Sequence, residues 1–193
     1  MAGGRDSALA TAATGTDRRS ATVTAATRHV LPHSAALTAA LEAAATRFGR
    51  IDVLEFSPHA GLVMVNPAEV RAENLQEQLD VILHGAVAAT RAVLLAMLAA
   101  KSGTLLFSMG GGAINPYPML ATTNIAQAGL RNWVHNLHNT LGSEGVLAAT
   151  VVINLLPFAE APEGVPHRAP DEIALEFWNI HADRDRVEHV VNA

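Results

Sequence analysis

The chain has 193 residues, no cysteine, 16% charged and only 4% aromatic residues, and a net charge of −5. Zero cysteine excludes disulfide scaffolds, thiolate zinc sites and cysteine nucleophiles, and the acidic balance speaks against the basic face of a duplex binder. No apolar run approaches the roughly 20 residues of a bilayer span, and the start Met1-Ala-Gly-Gly-Arg-Asp lacks the apolar stretch of a secretory signal. The expectation is a soluble, cytoplasmic protein with neither nucleic acid nor membrane as partner.

Residues 1–20, rich in Ala, Thr, Gly and Arg, carry no apolar periodicity and read as an irregular or short-helix segment (Ser7–Ala13 is the candidate helix). From 21 to 193 the chain reads as a single α/β domain. Ala21–Ala26 is a short strand; Ser34 caps a helix running through Phe48 and stopped by Gly49. Ile51–Phe56 is a buried strand, ended by Ser57-Pro58-His59-Ala60-Gly61. The longest predicted helix covers about 74–100, with Leu75, Leu79, Ile82, Ala86, Val93 and Met97 along one stripe. Thr104–Phe107 is the next strand, and a glycine-rich loop from Ser108 to Pro118 follows. A second long helix spans about 122–141, with Ala126, Leu130, Trp133, Leu137 and Leu141 on its apolar side. Leu147–Leu155 is the last clear strand, and Asp171 caps a final helix to about His181. Strands and helices alternating at this spacing predict a doubly wound parallel sheet covered on both faces.

Four segments, in this order and spacing, resemble the short-chain dehydrogenase/reductase family. Ala35–Phe56 is similar to the helix and strand before that family's NNAG turn. Leu79–Met97 resembles its NxxGxxxxxRAxLPxM helix, Gly103–Gly112 its GxIVxxSSxxG strand and loop, and Thr123–Trp133 its YxxxKxAL segment. The similarity covers about residues 21–156 and implies a Rossmann-like sheet, NAD(P) as cofactor, and a homo-oligomer built through helices 74–100 and 122–141. The family binds its dinucleotide on a glycine-rich turn between a first strand and helix. No such turn precedes Ala21, so the resemblance implies a sheet incomplete at the N-terminus and leaves open that no cofactor binds.

The family's catalytic positions fall on other residue types here. The Tyr position is Thr123, the Lys position Gln127, the Ser position Gly110 with Ser108 the nearest hydroxyl, and the Asn position Ile82. The single tyrosine, Tyr117, has Ala121 four residues on, and the single lysine is Lys101. An aliphatic hydroxyl is far less acidic than a phenol, and a neutral amide supplies no positive charge to lower its pKa. The resemblance therefore implies a degenerate family member without standard redox catalysis. Two alternatives stay open: an NAD(P)-dependent oxidoreductase with an atypical site, using Ser108, Thr123 and Gln127, or a repurposed hydrolase or lyase using Ser57, His59 or Ser108.

Ser57, Pro58 and His59, just past a strand end where open α/β sheets bind ligands, are the candidate cofactor-binding residues. A turn that merely ends the strand is the plainer reading. No G-x-S-x-G elbow accompanies them. Gly110–Gly112 lacks the Lys-Ser/Thr of a P-loop and reads as a flexible strand exit. His135 and His138 share a helix face without an acidic residue on it, so no metal site is expected and solvated or interface histidines are.

Overall fold

A computed structural model describes residues 33–192 and the pairs Leu9–Ala10 and Ala25–Ala26. These pairs, β1 (Leu9–Ala10) and β2 (Ala25–Ala26), form a two-residue antiparallel ladder. The remainder of the expected irregular segment 1–20 and of the strand 21–26 lies outside the described residues.

Among the described residues the main sheet has four parallel strands in the order β3 (Val53–Phe56), β4 (Gly103–Gly110), β5 (Val146–Ile153), β6 (Glu188–Val191). Each joins its neighbour through a helical crossover, as parallel pairing requires. β4 and β5 are apolar along most of their lengths because helices cover both faces. One face packs Leu105, Phe107 and Met109 against α3 (Gly85–Ala99) and α4 (Ala121–Leu141). The other packs Leu106, Leu147, Ala149 and Val151 against Ile173 and Ile180 of α5 (Pro170–Asp183). α1 (His33–Phe48) lies outside α3, with Leu41 and Ala44 buried.

Several sequence-based boundaries move. Ile51–Phe56 is not a buried strand: Val53–Phe56 is paired on one side only among the described residues, and Val53 and Glu55 are exposed. The helix expected at 74–100 is three joined pieces: α2 (Ala72–Gln78), a π-helical turn Leu79–His84, and α3. By length and composition this run, Ala72–Ala99, could cross a bilayer, contrary to the sequence reading. Ala86, Ala89, Val93 and Met97 are buried in the domain core. The last helix starts at Pro170 with Ala169 as its cap, so Asp171 sits in the first turn, while the Glu172 carboxylate accepts from the Ala169 N–H at 3.1 Å. Strand β6 went unseen in the sequence.

β6 is fixed by charge as well as by its ladder. The Arg131 guanidinium on α4 donates both Nε and Nη2 to the Glu188 carboxylate, the latter at 2.8 Å, and Thr150 donates to it at 3.1 Å. His135 lies 3.3 Å from the same carboxylate, and His138 Nδ1 3.0 Å from the Ala148 carbonyl. Both histidines thus bond inside the chain rather than standing free in solvent. No cluster of three metal-ligating side chains occurs among the described residues.

The Arg131 hydrogen bonds hold the Glu188 carboxyl below its usual range, against a smaller opposing effect of burial. With the folded pKa lowered, this carboxylate stabilises the protein above the unfolded value, about 4.3, and the contribution disappears as pH falls through the lower folded value. Glu188→Gln is expected to cost about 1–2 kcal/mol at pH 7 for a partly screened bidentate pair. Thermal melts from pH 7 down to pH 3 should show the gap to the parent protein closing. A gap that stays constant across that range contradicts the assignment.

Candidate functional site

The carboxyl ends of β3, β4 and β5 gather the polar residues singled out in the sequence. Register decides which of them meet. Phe56 is paired with Phe107, and both rings turn into the core, edge to face at 6.4 Å. Alternation along a strand sends the next residues to the opposite face, which brings Ser57 and Ser108 together: Ser108 Oγ donates to Ser57 Oγ at 2.6 Å. Ser57 Oγ in turn donates to the carboxylate of Glu55, two residues back on the same face. Glu55 lies on β3, a strand paired on one side only among the described residues, and the residue is exposed. Burial pushes that carboxyl above its ordinary pKa, and the Ser57 hydrogen bond pulls part of the way back.

The other half of the site comes from α4. Gln127 Oε1 accepts from the Gly110 N–H at 3.2 Å, so the amide at the Lys position is anchored to the strand at the Ser position. Thr123 Oγ1 donates to Gln78 Oε1 at 3.1 Å. Gln78 is 1% exposed, and its Nε2 has no partner among the described residues. Ile82, at the Asn position, is buried in the core. The lone tyrosine is placed elsewhere: Tyr117 donates to Asn154 Oδ1 at 3.2 Å, over the end of β5. Asn124 donates to the Tyr117 carbonyl at 2.7 Å and holds that loop.

Gly110–Gly112 is no flexible exit. Gly111–Ala113 form a buried 3-10 turn, pressed so closely that a Cβ on Gly111 would stand 2.2 Å from Asn154 Oδ1, and one on Gly112 2.2 Å from Asn124 Oδ1. A side chain at either position would displace the neighbouring asparagine, and at Gly112 that asparagine, Asn124, is buried. Of the three candidate cofactor residues, Ser57 joins the hydroxyl chain, while His59 Nδ1 accepts from the Gly61 N–H at 3.0 Å within its own turn. Pro58 sits between them without a side-chain hydrogen bond to offer.

The structure therefore brings Ser57 to Ser108 and Gln127 to Gly110, and takes Thr123 away to Gln78. Glu55, Gln78 and Asn154 were missed in the sequence. Glu55 alone carried a signal there, as a charged residue inside an otherwise apolar strand.

These residues do not fit a nicotinamide dinucleotide as the family binds it. Where a cation would hold the ribose stands a neutral amide already bonded to the backbone, and no Arg or Lys side chain hydrogen-bonds any of the site groups among the described residues. The only charge in this set is the Glu55 carboxylate, which repels a pyrophosphate.

A parallel α/β sheet with its polar cluster at the strand tips defines the doubly wound class. The family model for short chain dehydrogenase matches residues 2–156. This chain belongs to the short-chain dehydrogenase family. The match starts nearer the N-terminus than the four motif segments did.

Among solved structures, an alcohol dehydrogenase from the archaeon Thermococcus sibiricus, complexed with 5-hydroxy-NADP, is 18% identical. The alignment covers 82% of this chain and 70% of that one at a TM-score of 0.70. A halohydrin dehalogenase bound to ethyl (2S)-oxiran-2-ylacetate is 21% identical over 70% of this chain, with a TM-score of 0.60. The match covers 52% of that protein, about half its length. A protein described as a dehalogenation enzyme is 20% identical over 79% of this chain and 72% of its own, with a TM-score of 0.68. At these identities the likeness is one of fold. No curated protein sequence matches the chain.

Proposed function

We propose that this chain is a degenerate short-chain dehydrogenase that no longer transfers hydride and keeps the family scaffold for a non-redox role. The observation that carries the reading is the pair of hydrogen bonds at the family's catalytic positions. Thr123 is committed to Gln78, and Gln127 is committed to the Gly110 amide. Neither is an acid able to give up a proton near neutral pH, and neither supplies positive charge. Two fold neighbours whose names describe dehalogenation rather than dehydrogenation are consistent with non-redox chemistry on such a scaffold.

The same proposal includes a soluble, cytoplasmic homo-oligomer without a nucleic-acid or membrane partner. It assembles through the helical run Ala72–Ala99 and α4, where Leu95 and Ile125 stand exposed.

The rival is an NAD(P)-dependent oxidoreductase with an atypical site, and a titration separates the two. A ligand at 100 times its Kd stabilises by about 2.7 kcal/mol. The expected result is no change in melting temperature with NADH or NADPH up to millimolar concentration, and no oxidation of either with a panel of carbonyl compounds. A saturable upward shift, or dinucleotide-dependent turnover, overturns the proposal.

A further inference from the structure

We propose that Ser108 is an acyl-transfer nucleophile whose proton passes through Ser57 to Glu55, and that the site hydrolyses carboxylic esters of apolar acids. The inference rests on the non-redox reading of the same strand-end site.

The direction of the chain is set by its donors. Ser108 donates to Ser57, and Ser57 donates to the carboxylate, so a base already waits at the end of a two-hydroxyl path from the nucleophile. On attack, the Ser108 Oγ–carbonyl carbon bond forms while the Ser108 proton moves to Ser57 and the Ser57 proton to Glu55. Collapse breaks the ester C–O bond; Glu55 returns its proton to Ser57, and the Ser57 hydroxyl gives its own proton directly to the leaving alkoxide, since Ser108 Oγ is now acylated. A water molecule then repeats the cycle on the acyl-serine, releasing the acid and restoring Ser108. No oxidant or cofactor enters. Burial of the Glu55 carboxyl makes it a stronger base than an ordinary carboxylate, at the cost of requiring a higher pH to ionise.

The nearest free side-chain donor on α4 is the Gln127 amide, the candidate to meet a developing oxyanion. Ser108 and Gly110 lie two residues apart on one face of β4, so their side-chain positions stand about 6.6 Å apart. Gln127 Nε2 lies 3.9 Å from a Cβ built on Gly110, and its Oε1 is fixed by the Gly110 N–H, leaving the nitrogen to donate.

The apolar preference follows from the rim. The loops leaving β3, β4 and β5 expose Leu62, Met64, Tyr117, Met119 and Phe158. The first two loops are tied together where the Val65 N–H donates to the Met119 carbonyl at 2.9 Å. Exposed apolar side chains on the loops that leave the same strand ends suit a ligand with an apolar body and a few polar atoms.

The test uses the full chain with p-nitrophenyl acetate and p-nitrophenyl octanoate. Saturable release of p-nitrophenol is expected, with kcat/KM at least tenfold higher for the octanoate. Peptide mass spectrometry after a short reaction should find the octanoyl group on Ser108. Ser108→Ala should lose that adduct and at least a hundredfold of the saturable rate. Glu55 acts through Ser57 and is a positioning residue. Glu55→Gln should therefore slow acylation about tenfold or more and abolish the fall in rate on the acid side of the pH profile.

If Ser108→Ala fails to fold, the adduct map on the parent protein decides. Octanoyl on a histidine or on Thr123, or no adduct, overturns the nucleophile. No acylation together with no response to NADH or NADPH removes this inference and leaves the non-redox reading standing. A dinucleotide-induced shift removes that reading whatever the esters show.

Discussion

Phe107→Ala is expected to lower the unfolding free energy by about 3–5 kcal/mol, as for other fully buried aromatics. The ring is 0% exposed in the middle of β4, and it links two layers. It meets Phe56 of β3 edge-on and, at 5.9 Å and 70°, Trp133 of α4. Truncation removes both aromatic contacts and leaves a cavity bordered by sheet on one side and helix on the other, neither of which can collapse far. For a domain whose whole stability is of order 5–15 kcal/mol, this is a large share. Urea unfolding should show the midpoint falling at unchanged slope. A loss below 1 kcal/mol contradicts this role. Phe107 also precedes Ser108, so the variant is expected to disturb the Ser108–Ser57 hydrogen bond as well as the core.

Gly145→Ala is expected to cost more than 3 kcal/mol, for a different reason. Gly145 ends the turn after α4 at φ +80° and ψ +10°, in the left-handed region. A Cβ there would stand 2.1 Å from the Lys101 carbonyl oxygen and 2.7 Å from its carbon. Left-handed backbone costs a non-glycine residue about 1–2 kcal/mol, and the clash is with main chain, which cannot rotate away. The surroundings resist adjustment: Arg184 donates to the carbonyls of Gly145 at 2.9 Å and Gly103 at 3.2 Å, binding the amino ends of β4 and β5 together. Melting should fall by about 6 °C or more for a chain of this size. Gly142→Ala, whose Cβ would meet nothing within 4 Å, is the control and should change little. Similar melting temperatures for the two variants would refute the argument.

The sheet was readable because β4 and β5 are apolar on both faces and alternate with long helical stretches, the pattern of covered parallel strands. β6 was not, because half of its four residues are polar and Glu188 is there to meet Arg131, a partner many residues away. The π-helical turn at 79–84 was invisible for a related reason. One extra residue in a turn hardly disturbs a stripe of apolar positions, and Leu79 and Ile82 fit a regular helix equally well. Asp171 looked like a cap, but Pro170 is better suited to the first helical position and moves the cap back to Ala169.

At the site, the residue types were legible and their meeting was not. Ser57 and Ser108 each stood out beside a strand end. Only the pairing of Phe56 with Phe107 turns them into one chain, and only the same-face rule adds Glu55. The departures at Thr123 and Gln127 were plain from spacing alone. Where those side chains go instead, to Gln78 and to the Gly110 backbone, depended on how α2 and β4 pack against α4.

Every ladder in the main sheet joins strands separated by a whole crossover helix, as with Phe56 and Phe107 or Thr150 and Glu188. No two of these strands can zip up locally, so each pairing must first close a long loop against chain entropy. Folding is therefore expected to be slower than for a chain of the same length with local pairings. During synthesis β4 follows β3 and α3, so the face that α5 covers and the edge that β5 pairs stay bare until those elements emerge, and that interval is when the nascent chain is most exposed to aggregation.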